Sequence, residues 1–86
     1  MTTIDDIRAI IDQMDDAFVR LLTERFRLAA ATARFKPEIE DPAREAEIMR
    51  RLETLTADTP NPQFYRDLFA HILAESKRLQ EEEVQK

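Results

Sequence analysis

Ile7, Ile11, Met14, Phe18, Leu21, Leu28 and Phe35 recur at steps of three, four or seven residues, which marks one face of a long helix. Arg25 falls in that series, between Leu21 and Leu28, while Arg8 and Lys36 lie one turn from stripe positions. All three cations therefore border or interrupt a surface meant for a core or a partner helix. An unpaired buried guanidinium costs several kcal/mol, so such a row needs carboxylates to meet it. The chain supplies few on that side, which points to an anion brought by a ligand.

Thr3, with Asp6 three residues on, has the form of a capping box and predicts a helix start. The helix should run to about Phe35, where Pro37 biases Lys36 away from helical backbone angles. That is roughly 33 residues, or about 50 Å, too long for a small globule to cover unaided. Asp41 as N-cap and Pro42 at the first helical position predict a second helix, with stripe Glu45, Ile48, Leu52 and Leu55, ending near Ala57. Thr59-Pro60-Asn61-Pro62 repeats the grammar and opens a third, whose inner side carries Tyr65, Leu68, Phe69, Ile72, Leu73, Ser76 and Leu79. The closing Glu81-Glu82-Glu83 run and Gln85-Lys86 should fray into solvent. The expectation is an all-α fold of three helices, one long and two shorter, forming a single domain over residues 1–86.

Composition changes this picture in two ways. A chain of 86 residues buries only about 60 to 65 per cent of its unfolded surface. With 43% hydrophobic and 36% charged residues, it is expected to complete its core by association, as a homodimer. A net charge of -5, with no basic block in either half, argues against nucleic-acid or anionic-membrane partners. With Gly 0 there is no glycine-dependent phosphate cradle or tight hairpin. Zero cysteine and a single histidine leave no thiolate chemistry and no zinc cluster, so neither a metal nor a cofactor is expected. No cationic leader or long apolar run is present, and a soluble, cytoplasmic protein is expected.

Polar residues intrude on the other stripes too. Glu45 holds a stripe position beside Arg44, and Ser76 and Gln80 share one face four residues apart. Singly, each has an ordinary reading: an arginine stem snorkelling to water, a serine bonded one turn back, a glutamine at a solvent edge, a surface pair between Arg44 and Glu45. Jointly they form a pattern. His71 lies well around the helix from Ser76 and is read as a surface residue.

At these residues the chain resembles a family. Ile7-Arg8 followed by Ile11-Asp12 and Asp15, then Leu21-Leu22-Thr23-Glu24-Arg25, then Lys36, are similar in order and spacing to the all-helical chorismate mutases. Asp41-Pro42-Ala43-Arg44-Glu45 looks like the motif opening that family's second helix, and Ser76-Lys77-Arg78-Leu79-Gln80 like its closing Ser and Gln. The resemblance implies an intertwined helical homodimer that rearranges chorismate to prephenate. It implies that Arg8 is contributed to the neighbouring subunit's site and that Arg25 pairs a substrate carboxylate. Lys36 and Gln80 would reach the ether oxygen, Arg44 would order the carboxylate end, Glu45 would bind the ring hydroxyl, and Asp41 and Ser76 would complete the lining. The chemistry agrees: a dianion must be clamped in its reactive conformer, and fixed donors must meet charge gathering on the ether oxygen.

Only Pro37, Glu38, Ile39 and Glu40 separate Lys36 from Asp41, a shorter connection than the family usually has. The expectation is a site less well closed. Three other readings compete with chorismate mutase: an isochorismate pyruvate lyase of the same fold, which the carboxylate of Glu45 disfavours; a mutase of the 4-amino-4-deoxy analogue; and a non-catalytic helical dimerisation or regulatory module.

Overall fold

In the computed structural model, which describes residues 2–36 and 38–86, three helices follow one another: α1 Ile4–Thr32, α2 Pro42–Thr56 and α3 Pro62–Val84. The bias expected of Pro37 on Lys36 lies outside the described residues.

Local chemistry sets the helix starts. Thr3 Oγ1 accepts the Asp6 N–H at 3.2 Å while Asp6 Oδ2 accepts the Thr3 N–H at 3.0 Å, which satisfies two otherwise orphaned donors. Asp41 caps α2 by accepting the Arg44 N–H at 3.1 Å, with Pro42 following at the first helical position. Asn61 occupies the N-cap of α3 without a side-chain cap bond, and Pro62 removes one of the donors that would need one.

Two ends differ from expectation. α1 stops at Thr32, because the N–H groups of Ala33, Arg34 and Phe35 each bond three residues back, at 3.2, 3.3 and 2.9 Å. The Thr32 hydroxyl also donates to Ala29 O at 2.6 Å, drawing that carbonyl into the tightened turn. Phe35 consequently leaves the stripe and is 86% exposed. The acidic run of α3 is helical: the helix continues to Val84, leaving only Gln85 and Lys86 beyond it, with Arg78 bridging Glu75 and Glu82 on its surface and Glu83 bonded to Arg34.

α3 is the spine. α1 and α2 each pack against it and not against one another, so the space between them stays open over the face of α3. Among the described residues the buried apolar side chains are Ala33, Leu52 and Ile72, and Thr56, Ser76 and Gln80 are buried beside them. Every residue of α1 from Ile4 to Asp16 is exposed. The radius of gyration is 16.3 Å, against about 12 Å for a compact domain of this length. No helix is long and apolar enough among the described residues to cross a membrane.

Candidate active site

The open space between α1 and α2 is a cavity of about 480 Å³ floored by α3. α1 brings Arg25 to its wall, and the turn after α1 brings Lys36. Asp41, Arg44 and Glu45 enter from the N-terminus of α2, and Ser76 and Gln80 rise from α3 one turn apart. Seven of the eight candidate residues thus line one cavity. Arg8 does not; it lies about 25 Å further along α1, on the exposed half.

Arg25 has the least ordinary surroundings. Its guanidinium is half-buried, donates to Ser76 Oγ at 3.2 Å and lies 5.9 Å from the centre of the Phe69 ring. No carboxylate pairs with it among the described residues. Desolvation, and after it the positive charge of Arg44, pulls its pKa below the ordinary arginine value. An arginine remains charged even so. Ser76 is held between this donor and Ile72 O, to which its hydroxyl donates at 2.8 Å. With its proton directed at a carbonyl, Ser76 is not an activated nucleophile; His71 is exposed, on another face of α3.

Gln80 is buried, not at a solvent edge. Its Nε2 donates to Ala29 O at 3.1 Å and to Thr32 Oγ1 at 3.0 Å. A carbonyl only accepts, so the amide nitrogen must face α1, and this sets the orientation of the side chain. Lys36 Nζ donates to Ile39 O at 2.8 Å. Through that bond the short connection turns inward, and Ile39 joins the cavity wall.

The carboxylates pair differently from the simplest sequence reading. Arg44 bonds Glu47 on the helix surface, while Glu45 pairs with Lys77 at 3.1 Å, and Lys77 also reaches Glu40 at 3.5 Å. The hydrogen bond to Glu45 is the largest cause raising the Lys77 pKa above its ordinary value. Sequence reasoning passed over both Lys77 and Thr32. Leu73, Ser76, Lys77 and Gln80 follow the three-and-four spacing of one helical face, and Thr32 stands one turn beyond Leu28 and Ala29, so periodicity carried the signal. In all, four cations (Arg25, Lys36, Arg44 and Lys77) and two carboxylates line the cavity, an excess suited to a small dianion.

The sequence model of the family described as chorismate mutase type II matches residues 7–81. The match takes in α1 from Ile7 onward, all of α2, and α3 as far as Glu81. The chain belongs to that family. Neither the curated proteins nor the solved structures contain a significant match.

Proposed function

We propose that this member of the chorismate mutase type II family rearranges chorismate to prephenate as a homodimer. The observation that carries the reading is Arg25, a half-buried cation without a carboxylate partner among the described residues, facing a cavity whose lining has two more cations than anions. A dicarboxylate of chorismate's size supplies the missing charge.

The reaction breaks one carbon–oxygen bond, makes one carbon–carbon bond and transfers no proton, so it needs neither nucleophile nor acid. It needs the substrate held in its reactive chair-like conformer and donors aimed at the ether oxygen. Arg25 clamps one carboxylate, and Arg44 orders the carboxylate end. Lys36, with one proton on Ile39 O, keeps two for the substrate. Gln80 Nε2 donates to Ala29 O and Thr32 Oγ1, which lie 2.6 Å apart, close enough to share one N–H. Its second N–H is left for the ether oxygen. Glu45 accepts from the ring hydroxyl, with Asp41 and Ser76 beside it. A rate gain of about 10⁶ corresponds to about 8 kcal/mol, within reach of two charge clamps and two donors.

The dimer is supported by the bare half of α1. Ile7, Ile11, Met14 and Phe18 form an exposed, contiguous apolar stripe, the kind of surface that marks an association site. A second copy laid along it covers the stripe and brings Arg8, which borders it, to the neighbouring cavity. This completes the anion clamp.

The deciding experiment offers chorismate and isochorismate separately to the purified protein, with products identified by NMR. Prephenate from chorismate is expected. Pyruvate release from isochorismate alone would assign a lyase, and turnover of neither substrate would leave a mutase of the 4-amino-4-deoxy analogue or a helical dimerisation module.

A further inference from the structure

Two carboxylates line the cavity, and they differ in availability. Asp41 has one oxygen on the N-cap of α2, where Oδ1 accepts the Arg44 N–H and fixes the side chain. Glu45 is the lining anion freer to turn to a donor or cation on a ligand, and it already has a cation. Lys77 Nζ stands 3.1 Å from Glu45 Oε1, held also by Glu40 from the connection at 3.5 Å. The side chains of Lys77 and Glu45 are 32% and 30% exposed, so the pair is only partly in solvent and is screened less than a fully exposed one.

We propose that Lys77 is a specificity-determining residue: by neutralising Glu45 it selects a substrate whose ring substituent is an uncharged hydroxyl and disfavours an analogue bearing a protonated amine there. The inference rests on the reading that Glu45 faces that substituent. Left alone, the Glu45 carboxylate would bind an ammonium better than a hydroxyl, through a charge-assisted bond. With Lys77 in place, an ammonium entering the site meets a like charge and a carboxylate that is already shared. A hydroxyl can donate to the same carboxylate without that repulsion. Discrimination by an added repulsive element is a general route to specificity. The remaining lining cations act in the same direction, since Arg25, Arg44 and Lys36 all favour a ligand without positive charge of its own.

The test compares kcat/KM for chorismate and 4-amino-4-deoxychorismate in the parent, Lys77→Met and Lys77→Arg, at low salt. The parent should prefer chorismate. Lys77→Met should move the ratio about tenfold toward the amino compound, mostly through KM, the size expected for removing one partly screened charge. Lys77→Arg should keep the parent's preference. In a Glu45→Gln background, where no carboxylate remains to neutralise, Lys77→Met should leave the ratio much less changed. Circular dichroism confirms the fold, and Lys77→Gln gives the same reading should the methionine variant fold poorly. An active parent without preference, or a ratio that Lys77→Met leaves unmoved, overturns the inference alone. A parent that turns over neither compound overturns the proposed function and this inference with it.

Discussion

The two halves of α1 share one helix and one periodicity but meet different surroundings. Toward the C-terminus, Ala29, Ala30, Ala31 and Ala33 are half-buried or buried, small enough to bring the backbone against α3. Toward the N-terminus the stripe is made of Ile, Met and Phe, all exposed, with Met14 at 65%. Small residues at one end shape a cavity within the chain, and large ones at the other present a surface that nothing among the described residues covers. A helical stripe reports that a face is to be buried; it does not report against what.

The most severe way to break this comparison is to charge the bare half. Phe18→Asp would place a carboxylate in the middle of the apolar stripe, at a cost of several kcal/mol to any association that buries it. Sedimentation at micromolar concentration should show a monomer, with activity reduced by at least about 10³ if, as proposed, each site takes Arg8 from its neighbour. Complementation gives an independent check. Mixing inactive Arg8→Ala and Arg25→Ala subunits should restore activity, since one site of the mixed dimer then has both arginines. No recovery on mixing, or a fully active Phe18→Asp dimer, assigns the stripe another role.

Arg25→Ala addresses the clustered half. Its expected effect is a loss of at least two orders of magnitude in kcat/KM, about 3 kcal/mol, with helicity and dimerisation nearly unchanged. Arg25 makes one hydrogen bond and one ring contact inside the protein, too few to carry the fold. An Arg25→Ala protein that unfolds, while its folded fraction turns over normally, would make the guanidinium structural.

Gln80→Glu sharpens the comparison at the seam where α1 meets α3. The amide faces Ala29 O with a donor; an ionised carboxylate would turn lone pairs toward that oxygen and toward the substrate's ether oxygen as well. A glutamate has a reference pKa near 4.3, and this repulsion raises it. The protonated form is then favoured in the folded protein, and the penalty grows as pH rises through the shifted value. The variant should lose about tenfold or more of its activity at pH 7.5, recover toward pH 5, and show a Tm that rises over the same interval. The parent should vary much less. A flat profile with full activity at pH 7.5 would remove Gln80 from the reacting oxygen and leave Lys36 there alone.

What could be read from the sequence was what neighbouring residues determine between themselves. Thr3 with Asp6, Asp41 with Pro42, and Asn61 with Pro62 set three helix starts because cap and helix are only residues apart. The cavity candidates were legible because cations and amides on apolar stripes are costly without a reason. Contacts across the fold were not legible. The pairing of Glu45 with Lys77 instead of Arg44, and that of Glu83 with Arg34, depend on how α3 lies against the rest of the chain, which no spacing encodes. Phe35 continued the stripe by number and left it by geometry, once the turn after Thr32 tightened.

The pair between Arg34 and Glu83 supplies the smallest effect and the last contrast between the two ends of α1. Arg34 Nη2 and Nε donate to Glu83 Oε1 at 2.8 and 3.3 Å, fastening the turn after α1 to the end of α3. The Arg34 hydrogen bond first, and Lys86 second, hold the Glu83 carboxyl below its ordinary value of 4.5. A carboxyl whose pKa is lowered by folding adds stability that is fully present above the unfolded value and is lost as pH falls through the folded one. Because the arginine is largely in solvent, the contribution is modest and screened by salt. Glu83→Gln should therefore lower Tm slightly at pH 7 and low salt, with the difference shrinking at high salt and fading as the pH is brought below 4. Thermal melts across that range test it. A difference that persists undiminished in acid would mean that Glu83 holds the helix end by packing, and that charge does not fasten this end of α1.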